Sequence, residues 1–242
     1  MTTSASTLPE ISAFDRYCDP TKLAYLGMMV RQRLAATPGV ERVDVADADL
    51  YIVPGFLARA DCRGIVDVIN SRAVPSTLYR GVEREGFRTS FTHHFDRDDP
   101  LVIDVELYIS DLLGIDINYS EPMQGQRYQA GQQFKHHHDY FHIGEGYWRE
   151  EAERGGQRTW TAMISLNEPK EGGETDFPLL GIALRQQAGT LILWDNMDRN
   201  GRPNRKTLHA GLPVRRGIKH VITKWYRLEP WRMLNPVDAA SA

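Results

Sequence analysis

A short segment in the middle of the chain carries a metal-binding pattern that the fold must complete from elsewhere. Residues 128–141 read YQAGQQFKHHHDYF, and the part from Phe134 onward predicts a β-strand over 134–142. Successive side chains on a strand point to opposite faces, so His137 and Asp139 share one face while His136 and His138 share the other. One strand therefore offers an imidazole nitrogen and a carboxylate oxygen on the same side, two of the three ligands of a facial triad for Fe(II). A distant histidine is needed as the third.

The best candidate for the third ligand is His209, in the short alternating segment 206–211 that follows a polar loop. A lone histidine is more often a hydrogen-bonded structural residue than a ligand, so this choice depends on the residues around it. The other histidines are poorer candidates because they fall in predicted loops, beside glycines or on an outer strand face: His93, His94, His142 and His220.

A lysine follows His209 ten residues later, on another predicted strand. Lys219 would share one face of this strand with Val221, Thr223 and Trp225. A buried ammonium group without a partner costs several kcal/mol or loses its proton. An inward lysine beside a metal site therefore predicts a carboxylate that the chain itself does not provide, and a dicarboxylate cosubstrate would fit.

Several motifs, including the residues described above, occur in a fixed order between Arg88 and Trp225. They are Arg88-Thr-Ser90, Tyr128, Gly131-Gln132, His137-His-Asp139-Tyr-Phe141, Gly172-Gly-Glu-Thr175 with Phe177-Pro178, and His209-Ala-Gly211 with Pro213-Val214, Gly217, Lys219 and Lys224-Trp225. In this order and spacing the chain resembles the prolyl 4-hydroxylases of the 2-oxoglutarate and Fe(II) dependent dioxygenase superfamily. The motifs cover roughly residues 50 to 230.

The resemblance implies three groups of site residues. The metal ligands would be His137, Asp139 and His209. The residues that bind 2-oxoglutarate, an ammonium on its distal carboxylate and two hydroxyl donors, would be Lys219, Tyr128 and Thr161. The residues that bind the substrate would be Trp225, Phe134, Arg88 and Ser90. Hydroxyl donors beside a buried carboxylate supply the additional hydrogen bonds that a buried ion pair needs.

Three details of these motifs bear on the substrate and the cosubstrate. Phe134 stands where the prolyl hydroxylase pattern usually has a tyrosine, so a polar contact expected near the substrate is lost. Asp139 favours hydroxylation over halogenation, because related halogenases carry a small residue at that position. Related dioxygenases bind the cosubstrate with an arginine, which makes Arg215 and Arg216 alternatives to Lys219, although the spacing favours the lysine.

The leading hypothesis is a dioxygenase that hydroxylates a prolyl residue in a peptide or protein and decarboxylates 2-oxoglutarate to succinate. Fe(II), 2-oxoglutarate and O2 would take part, with ascorbate as the reductant that the family implies. The alternative, kept open by Phe134, is hydroxylation of a free amino acid or another small metabolite. A non-catalytic, cupin-like metal-binding module would keep the ligands without needing Lys219. Zinc hydrolase chemistry is less well supported, since no HExxH-type base accompanies the ligands.

Helical periodicity precedes short alternating runs along the chain. Helices are predicted over about 20–37, 60–71 and 100–113. One strand is predicted at 50–53, and the others follow at 125–130, 134–142, 159–166, 190–194, 207–211 and 219–228. This order predicts a mainly β fold with flanking helices, a double-stranded β-helix (jelly roll, cupin-like) preceded by N-terminal α-helices. One catalytic domain is expected across 1–242, with a support region at 1–120 and the β-helix core at 121–230. The charged segment 144–157 is expected to be a loop that borders the site, and it either gates substrate or is an ordinary exposed connection.

Composition narrows the partners and the compartment. The 29 basic and 32 acidic residues give a net charge of −3, so no nucleic-acid partner is expected. Cys18 and Cys62 are too few and too far apart for a disulfide scaffold or a zinc site. The sequence shows no signal-type N-terminus and no run that could span a bilayer, so no membrane partner and a cytoplasmic location are expected. The oligomeric state stays open.

Overall fold

The computed structural model describes residues 15–78, 85–185 and 187–233, and the remaining positions of the predicted 1–242 domain lie outside the described residues. Its α-helices are α1 (Pro20–Ala36), α2 (Arg59–Arg72), α3 (Ile103–Leu113) and α4 (Trp148–Gly155). Short 3-10 helices occur at Asp15–Cys18, Ile117–Tyr119 and Arg205–Thr207. Within the described ranges, no helix has the length and apolar character needed to cross a membrane.

Fourteen strands are described, and every pairing between them is antiparallel. In chain order they are β1 (Glu41–Arg42), β2 (Leu50–Val53), β3 (Val74–Pro75), β4 (Phe91–His94), β5 (Gln124–Tyr128), β6 (Phe134–His137), β7 (Arg158–Ser165), β8 (Glu171–Gly172), β9 (Thr175–Phe177), β10 (Ile182–Leu184), β11 (Leu191–Asp195), β12 (His209–Gly211), β13 (Val214–Arg216) and β14 (Lys219–Arg227). A larger sheet has the order β1-β2-β11-β7-β14-β5-β4-β3, a smaller sheet has the order β10-β9-β12-β6, and β13 pairs with β8.

Helices α1 to α3 cover one face of the larger sheet. Helix α1 begins after Asp19, whose carboxylate accepts hydrogen bonds from the backbone N–H groups of Thr21 (2.8 Å) and Lys22 (3.3 Å) and so caps the helix. Apolar side chains spaced one helical turn apart then face the sheet. One apolar cluster joins helix and strand residues, among them Val30, Leu34, Ile65, Ile69, Val105, Ile109, Ile164 and Ile222.

The opposite face of the larger sheet packs against the smaller sheet. A second apolar cluster contains Tyr128, Met163, Trp194 and Val221 of the larger sheet together with Phe177 of the smaller sheet. Strand β14 contributes to both sides of the larger sheet, because successive side chains of a strand alternate between its faces. Residues on the inner face of β14 therefore line the space between the two sheets.

Glycine is required where α2 approaches the larger sheet most closely. A Cβ atom at Gly125 on β5 would lie 2.5 Å from Ile69 Cγ1 and 2.9 Å from Phe95 Cε2. Contacts this short do not occur between carbon atoms in folded proteins, so only glycine lets α2 lie at this distance. The close packing of α2 on β5 thus depends on the absence of a Cβ atom at Gly125.

The predicted mainly β fold with flanking helices is confirmed, and three local predictions need correction. The strand predicted over 134–142 ends at His137, and the segment expected as a loop over 144–157 contains α4. Trp148 and Ala152 of α4 pack against Tyr17 and Phe141, a tertiary contact that the local sequence does not reveal. His93 and His94, expected in a solvated loop, belong to β4.

The larger sheet does not separate the expected support region (1–120) from the expected β-helix core (121–230). Strands β1 to β4 lie before residue 120, yet they share this sheet with β5, β7, β11 and β14. The single catalytic domain stays a prediction, which this shared sheet supports.

Candidate metal centre

Three side chains converge between the sheets at the end of β6. His209 on β12 stands directly opposite His137 in the antiparallel pairing of β12 with β6. Asp139 lies two residues beyond the end of β6, and its Oδ1 is 3.8 Å from His137 Nε2 while its Oδ2 is 3.8 Å from His209 Nε2. One potential ligand atom from each residue lies within 4.8 Å of the others. Among the described residues this is the one group of three or more histidine, cysteine or acidic side chains with such spacing.

Backbone carbonyl groups determine which ring nitrogen of each histidine faces this point. His137 Nδ1 lies 2.7 Å from the carbonyl oxygen of Lys135, and His209 Nδ1 lies 3.0 Å from that of Thr207. A carbonyl oxygen only accepts hydrogen bonds, so both Nδ1 atoms carry a proton and donate it. In the neutral form of each ring, Nε2 then carries the lone pair and lies on the side of Asp139, as metal-binding imidazoles require.

The electrostatic surroundings favour the protonation states that a metal ion needs. Burial, together with the neighbouring His209, holds the pKa of His137 well below its usual value. Burial alone would raise the pKa of Asp139, but His209, His137 and Arg158 lower it below the usual value. In their neutral form, the two imidazoles would make with the Asp139 carboxylate a donor set that suits Fe(II) and other divalent transition metals.

Aromatic rings surround the two imidazoles. The Phe134 ring stacks on His137 with a centroid distance of 3.6 Å, and the Arg88 guanidinium carbon lies 4.8 Å from the centroid of the Phe134 ring. The His209 ring lies 5.0 Å from the Trp194 ring and 5.5 Å from the Phe177 ring. These contacts restrict rotation of both imidazoles and limit the access of water to them.

The histidines that the sequence argument set aside point elsewhere. His136 Nε2 lies 2.8 Å from Asp176 Oδ2, and His138 Nε2 lies 3.2 Å from the carbonyl oxygen of Arg205. His220 contacts Asn70 through Nε2 (2.9 Å), and burial together with Arg127 lowers its pKa to about 4. None of these imidazoles belongs to the cluster of three.

Lys219 lies buried at the end of β14 that is next to the smaller sheet. Its Nζ donates a hydrogen bond to Thr175 Oγ1 (3.3 Å) and lies 5.7 Å from the centroid of the Tyr128 ring. Within the described part of the chain, no carboxylate lies at ion-pair distance from this ammonium group. Burial lowers the pKa of Lys219 to about 8, although Glu174 offsets part of the lowering. A carboxylate of a bound molecule would remove this electrostatic cost.

The hydroxyl groups of Tyr128, Thr161 and Thr175 have different partners, and Thr161 lies beside Asp139 at the Trp225 end of β14 rather than beside Lys219. Tyr128 donates to Gln126 Oε1 (2.8 Å), whereas Thr161 donates to Asp139 Oδ2 (2.8 Å) and is thereby engaged with the candidate metal ligand. Thr175, which contacts Lys219, received no role in the sequence analysis although the Gly172–Thr175 motif contains it. Its position opposite a buried lysine becomes visible only when β9 and β14 are brought together.

Arg215 and Arg216, the alternatives to Lys219, lie outside the space between the sheets. Both are exposed, and Arg216 forms an ion pair with Glu171 at 3.5 Å. Their positions on the surface favour Lys219 as the cation beside the cluster.

The residues expected to contact substrate fall into two groups. Ser90 accepts a hydrogen bond from Arg88 Nε (3.3 Å), and Arg88 covers the Phe134 ring described above. Trp225 forms the second group, and the Arg158 guanidinium carbon lies 4.3 Å from the centroid of the Trp225 ring. The first group is next to His137, and the second is next to Asp139.

Arg158 was not selected from the sequence, although it adjoins Asp139. Its guanidinium donates two hydrogen bonds to Glu121, at 2.6 and 2.8 Å, and a longer one of 3.5 Å to the Asp139 carbonyl oxygen. Such a bidentate pair fixes the guanidinium plane. The signal that could have indicated it is the position of Arg158 at the start of the strand that carries Thr161.

Comparisons with known proteins agree with this geometry. The profile of the 2OG-Fe(II) oxygenase superfamily matches residues 123–227. Prolyl 4-hydroxylase 13 of Arabidopsis thaliana is 29% identical over 201 residues, which cover 74% of this chain and 70% of that protein. The viral collagen prolyl hydroxylase of Paramecium bursaria chlorella virus 1, solved as its 2OG complex, is 26% identical with a TM-score of 0.58, covering 74% of this chain and 95% of that one.

A further solved structure extends the likeness of the fold. A prolyl hydroxylase from Trichoplax adhaerens, in complex with a hypoxia inducible factor peptide fragment, has a TM-score of 0.56 and covers 94% of this chain and 99% of its own. Its sequence identity of 17% makes this a likeness of fold alone. The predicted jelly-roll architecture is confirmed by these neighbours.

Proposed function

We propose that this chain, which belongs to the 2OG-Fe(II) oxygenase superfamily and is a prolyl 4-hydroxylase-like member of it, hydroxylates a prolyl residue in a peptide or protein. The reaction consumes 2-oxoglutarate and O2 and gives succinate, CO2 and the hydroxylated product, with one oxygen atom in succinate and one in the new hydroxyl group. The observation that carries the proposal is the convergence of His137, Asp139 and His209, together with a buried Lys219 that contacts Thr175 on the strand paired with that of His209.

The proposed metal ligands are His137, Asp139 and His209. The donor atoms would be Nε2 of each imidazole and an oxygen of the Asp139 carboxylate, held at the distances given above. Three protein ligands leave positions open on an octahedral Fe(II) ion. When bound, Fe(II) supplies the activation of O2 that is coupled to the oxidation of 2-oxoglutarate. The protein orients these ligands and excludes water with Trp194, Phe177 and Phe134.

The proposed cosubstrate site lies between the ligands and Lys219. The ammonium of Lys219 would pair with the distal carboxylate of 2-oxoglutarate, which supplies the anion that the described residues lack there. Thr175 is a second contact, since its hydroxyl lies 3.3 Å from Lys219 Nζ and could turn its proton toward the same carboxylate. Tyr128 is the third, because its ring lies 5.7 Å from Lys219 Nζ and burial raises its pKa, so the phenol stays protonated and would donate to the carboxylate by turning away from Gln126. Thr161 stays a proposal for this site with less support, because its proton is donated to Asp139.

The proposed substrate contacts are Trp225, Phe134, Arg88 and Ser90. Names of the relatives include collagen prolyl hydroxylase and prolyl 4-hydroxylase, which supports a peptidyl proline over the free amino acid or small metabolite. We also propose ascorbate as the reductant that restores oxidised iron. A cytoplasmic location is likewise proposed, and the presence of only two cysteines, 44 positions apart in sequence, supports it.

The test is succinate formation by protein loaded anaerobically with Fe(II) and then given 2-oxoglutarate and O2. It is run with a proline-rich peptide, with free L-proline and without either. The variant His137→Ala removes a proposed ligand, and His136→Ala is its matched control because this neighbour contacts Asp176 instead. The peptide is analysed by mass for the addition of one oxygen atom.

The expected result is succinate formation that the peptide stimulates, with a matching gain of one oxygen atom on the peptide. His136→Ala should retain this activity, and His137→Ala should lose it. Stimulation by free L-proline alone would replace the peptide substrate with a small one. Absence of succinate under every condition would overturn the dioxygenase activity itself.

A further inference from the structure

We propose that Thr161 and Asn196 are positioning residues that hold the Asp139 carboxylate in one orientation toward the metal. The inference rests on the proposed function, because it concerns the same metal ligand. It assigns to Thr161 a different task from the cosubstrate contact that the sequence suggested. Asn196 was not indicated by any motif.

A chain of two short hydrogen bonds connects the three residues. Thr161 Oγ1 lies 2.8 Å from Asp139 Oδ2, and Asn196 Nδ2 lies 2.8 Å from Thr161 Oγ1. All three side chains are buried, with Thr161 and Asn196 at 0% exposure and Asp139 at 4%. Water therefore does not compete for these groups, and each bond is worth more than at the surface.

The direction of both bonds follows from the charge at one end. An ionised carboxylate only accepts hydrogen bonds, so the Thr161 hydroxyl must donate its single proton to Asp139. The hydroxyl oxygen is then left as an acceptor, which requires the amide nitrogen of Asn196 to face it. The threonine proton is thus no longer available to a cosubstrate carboxylate in this arrangement.

Asn196 is itself held by strand β7 and by the segment that precedes the 3-10 helix Arg205–Thr207. Its backbone N–H donates to the Thr159 carbonyl oxygen on β7 at 2.7 Å, and its carbonyl oxygen accepts from Asn204 N–H at 2.9 Å. Asn204 Oδ1 caps the 3-10 helix Arg205–Thr207 by accepting from Lys206 N–H at 3.0 Å, and His209 follows this helix directly. Asn196 thereby joins the support of Asp139 to the segment that presents His209.

The orientation of Asp139 matters because the two imidazoles lie near different oxygens of its carboxylate. His137 Nε2 is nearest to Oδ1 and His209 Nε2 to Oδ2, both at 3.8 Å. The Thr161 hydrogen bond engages Oδ2 and leaves Oδ1 as the better metal ligand. Without it, the carboxylate can rotate and use both oxygens, which would occupy a coordination position that the cosubstrate or O2 needs.

The first measurement is calorimetric titration of the metal-free protein with Mn(II), which requires no turnover. Thr161→Val removes the hydroxyl and keeps the shape, and we expect Mn(II) affinity to fall about 10- to 100-fold, as for other hydrogen-bond partners of metal ligands. Thr161→Ser restores the hydroxyl and should restore affinity. The matched control is Thr159→Val on the same strand, where the lost bond goes to the Tyr226 carbonyl oxygen (3.1 Å) and affinity should not change.

The second measurement is the visible absorption of the Co(II)-substituted protein, which reports the number and arrangement of ligands. Thr161→Val and Asn196→Ala should change this spectrum in the same direction, and Thr159→Val should leave it as in the parent protein. If Thr161→Val does not fold, Asn196→Ala alone decides, because it removes only the donor to the Thr161 oxygen.

Two results would overturn the inference. One is unchanged Mn(II) affinity and Co(II) absorption in the folded Thr161→Val or Asn196→Ala protein. The other is an equal loss in Thr159→Val, which would indicate a general effect of buried threonines on the sheet. Failure of the proposed function is distinguishable from both, since the parent protein would then form no succinate, whatever the variants show.

Discussion

The ring of Phe134 lies nearly parallel to the imidazole of His137, with centroids 3.6 Å apart and an interplanar angle of 16°. Phe134 begins β6 and His137 ends it, so the strand that supplies the first proposed metal ligand also supplies the ring that supports it. Phe134 replaces the tyrosine that the family pattern usually carries. The stacking contact does not require the missing hydroxyl group.

Removing this aromatic contact should weaken metal binding. Contacts of this kind between rings contribute about 0.5–1.5 kcal/mol beyond the burial of area. Phe134→Leu should therefore lower Mn(II) affinity by between about twofold and about tenfold, measured by calorimetry, because His137 gains rotational freedom. Phe134→Tyr keeps the ring and should bind Mn(II) as the parent protein does. Equal affinity of Phe134→Leu and the parent would contradict the supporting role.

Metal binding should stabilise the folded protein through the proposed ligands alone. A ligand at 100 times its dissociation constant adds about 2.7 kcal/mol to the free energy of unfolding, which raises the melting temperature. Mn(II) should produce this increase in the parent protein and in His136→Ala, and should not produce it in His137→Ala. Thermal unfolding with and without Mn(II) measures the effect. An equal increase in His137→Ala would place the metal elsewhere.

The affinity for 2-oxoglutarate should fall as the pH rises above about 8. Burial lowers the pKa of Lys219 to about 8, so the free protein loses its ammonium charge above this pH and keeps it below. Thr175 and Tyr128 face this group as neutral hydroxyls, and Glu174 is the nearby anion. Bound 2-oxoglutarate stabilises the protonated lysine and raises its pKa in the complex.

The measurement for Lys219 is anaerobic titration of the Mn(II)-loaded protein with 2-oxoglutarate across this pH range. Lys219→Met should bind weakly and without this pH dependence, whereas Lys219→Arg keeps its charge and should lack the decline above about 8. Lys170→Met, at an exposed position, should behave as the parent protein. Retention of the decline in Lys219→Met would assign it to another group.

The ion pair between Lys224 and Glu106 should be a determinant of stability. Lys224 Nζ lies 2.7 Å from Glu106 Oε2, and both side chains are fully buried. Removing one partner of a buried pair costs about 3–5 kcal/mol, because an uncompensated charge stays in the core. Lys224→Met should lower the free energy of unfolding by this amount in urea titrations.

A second substitution should recover most of this loss. The double variant Lys224→Met, Glu106→Gln carries no charge at this pair. In the parent protein the Met123 N–H donates to Glu106 Oε1 at 3.2 Å, and the amide oxygen of the glutamine can accept the same hydrogen bond. If the double variant is no more stable than Lys224→Met, the buried charge is not the cause of the loss.

The approach of α2 to β5 predicts that Gly125→Ala destabilises the protein. The added Cβ would meet Ile69 Cγ1 at 2.5 Å, and relieving such overpacking costs about 1–3 kcal/mol. Gly144→Ala is the control, since nothing lies within 4 Å of a Cβ at that exposed position. Urea unfolding of both variants measures the difference. Equal stability of the two would show that α2 can move away without cost.

Much of the element pattern follows from local sequence. Helices α1, α2 and α3 and strands β2, β5, β7, β11 and β14 lie within a few residues of their predicted bounds, because a period of 3.6 or 2 in apolar residues is a local signal. Helix α4 escaped prediction since its charged residues resemble a solvated loop. Its apolar side, formed by Trp148 and Ala152, is buried only by contact with Tyr17 and Phe141, and this tertiary contact favours the helix.

The sequence by itself selected His137 and Asp139, two residues apart, as ligands and a lysine at position 219 as the buried cation, although Asp139 lies beyond the end of β6 rather than on the same strand face. The tertiary structure alone decided what each hydroxyl group contacts. Thr161 donates to Asp139 and Thr175 meets Lys219 because strands far apart in sequence are held side by side between two packed sheets. A hydrogen bond depends on atomic distance and direction, and these arise from strand register and sheet packing rather than from spacing along the chain.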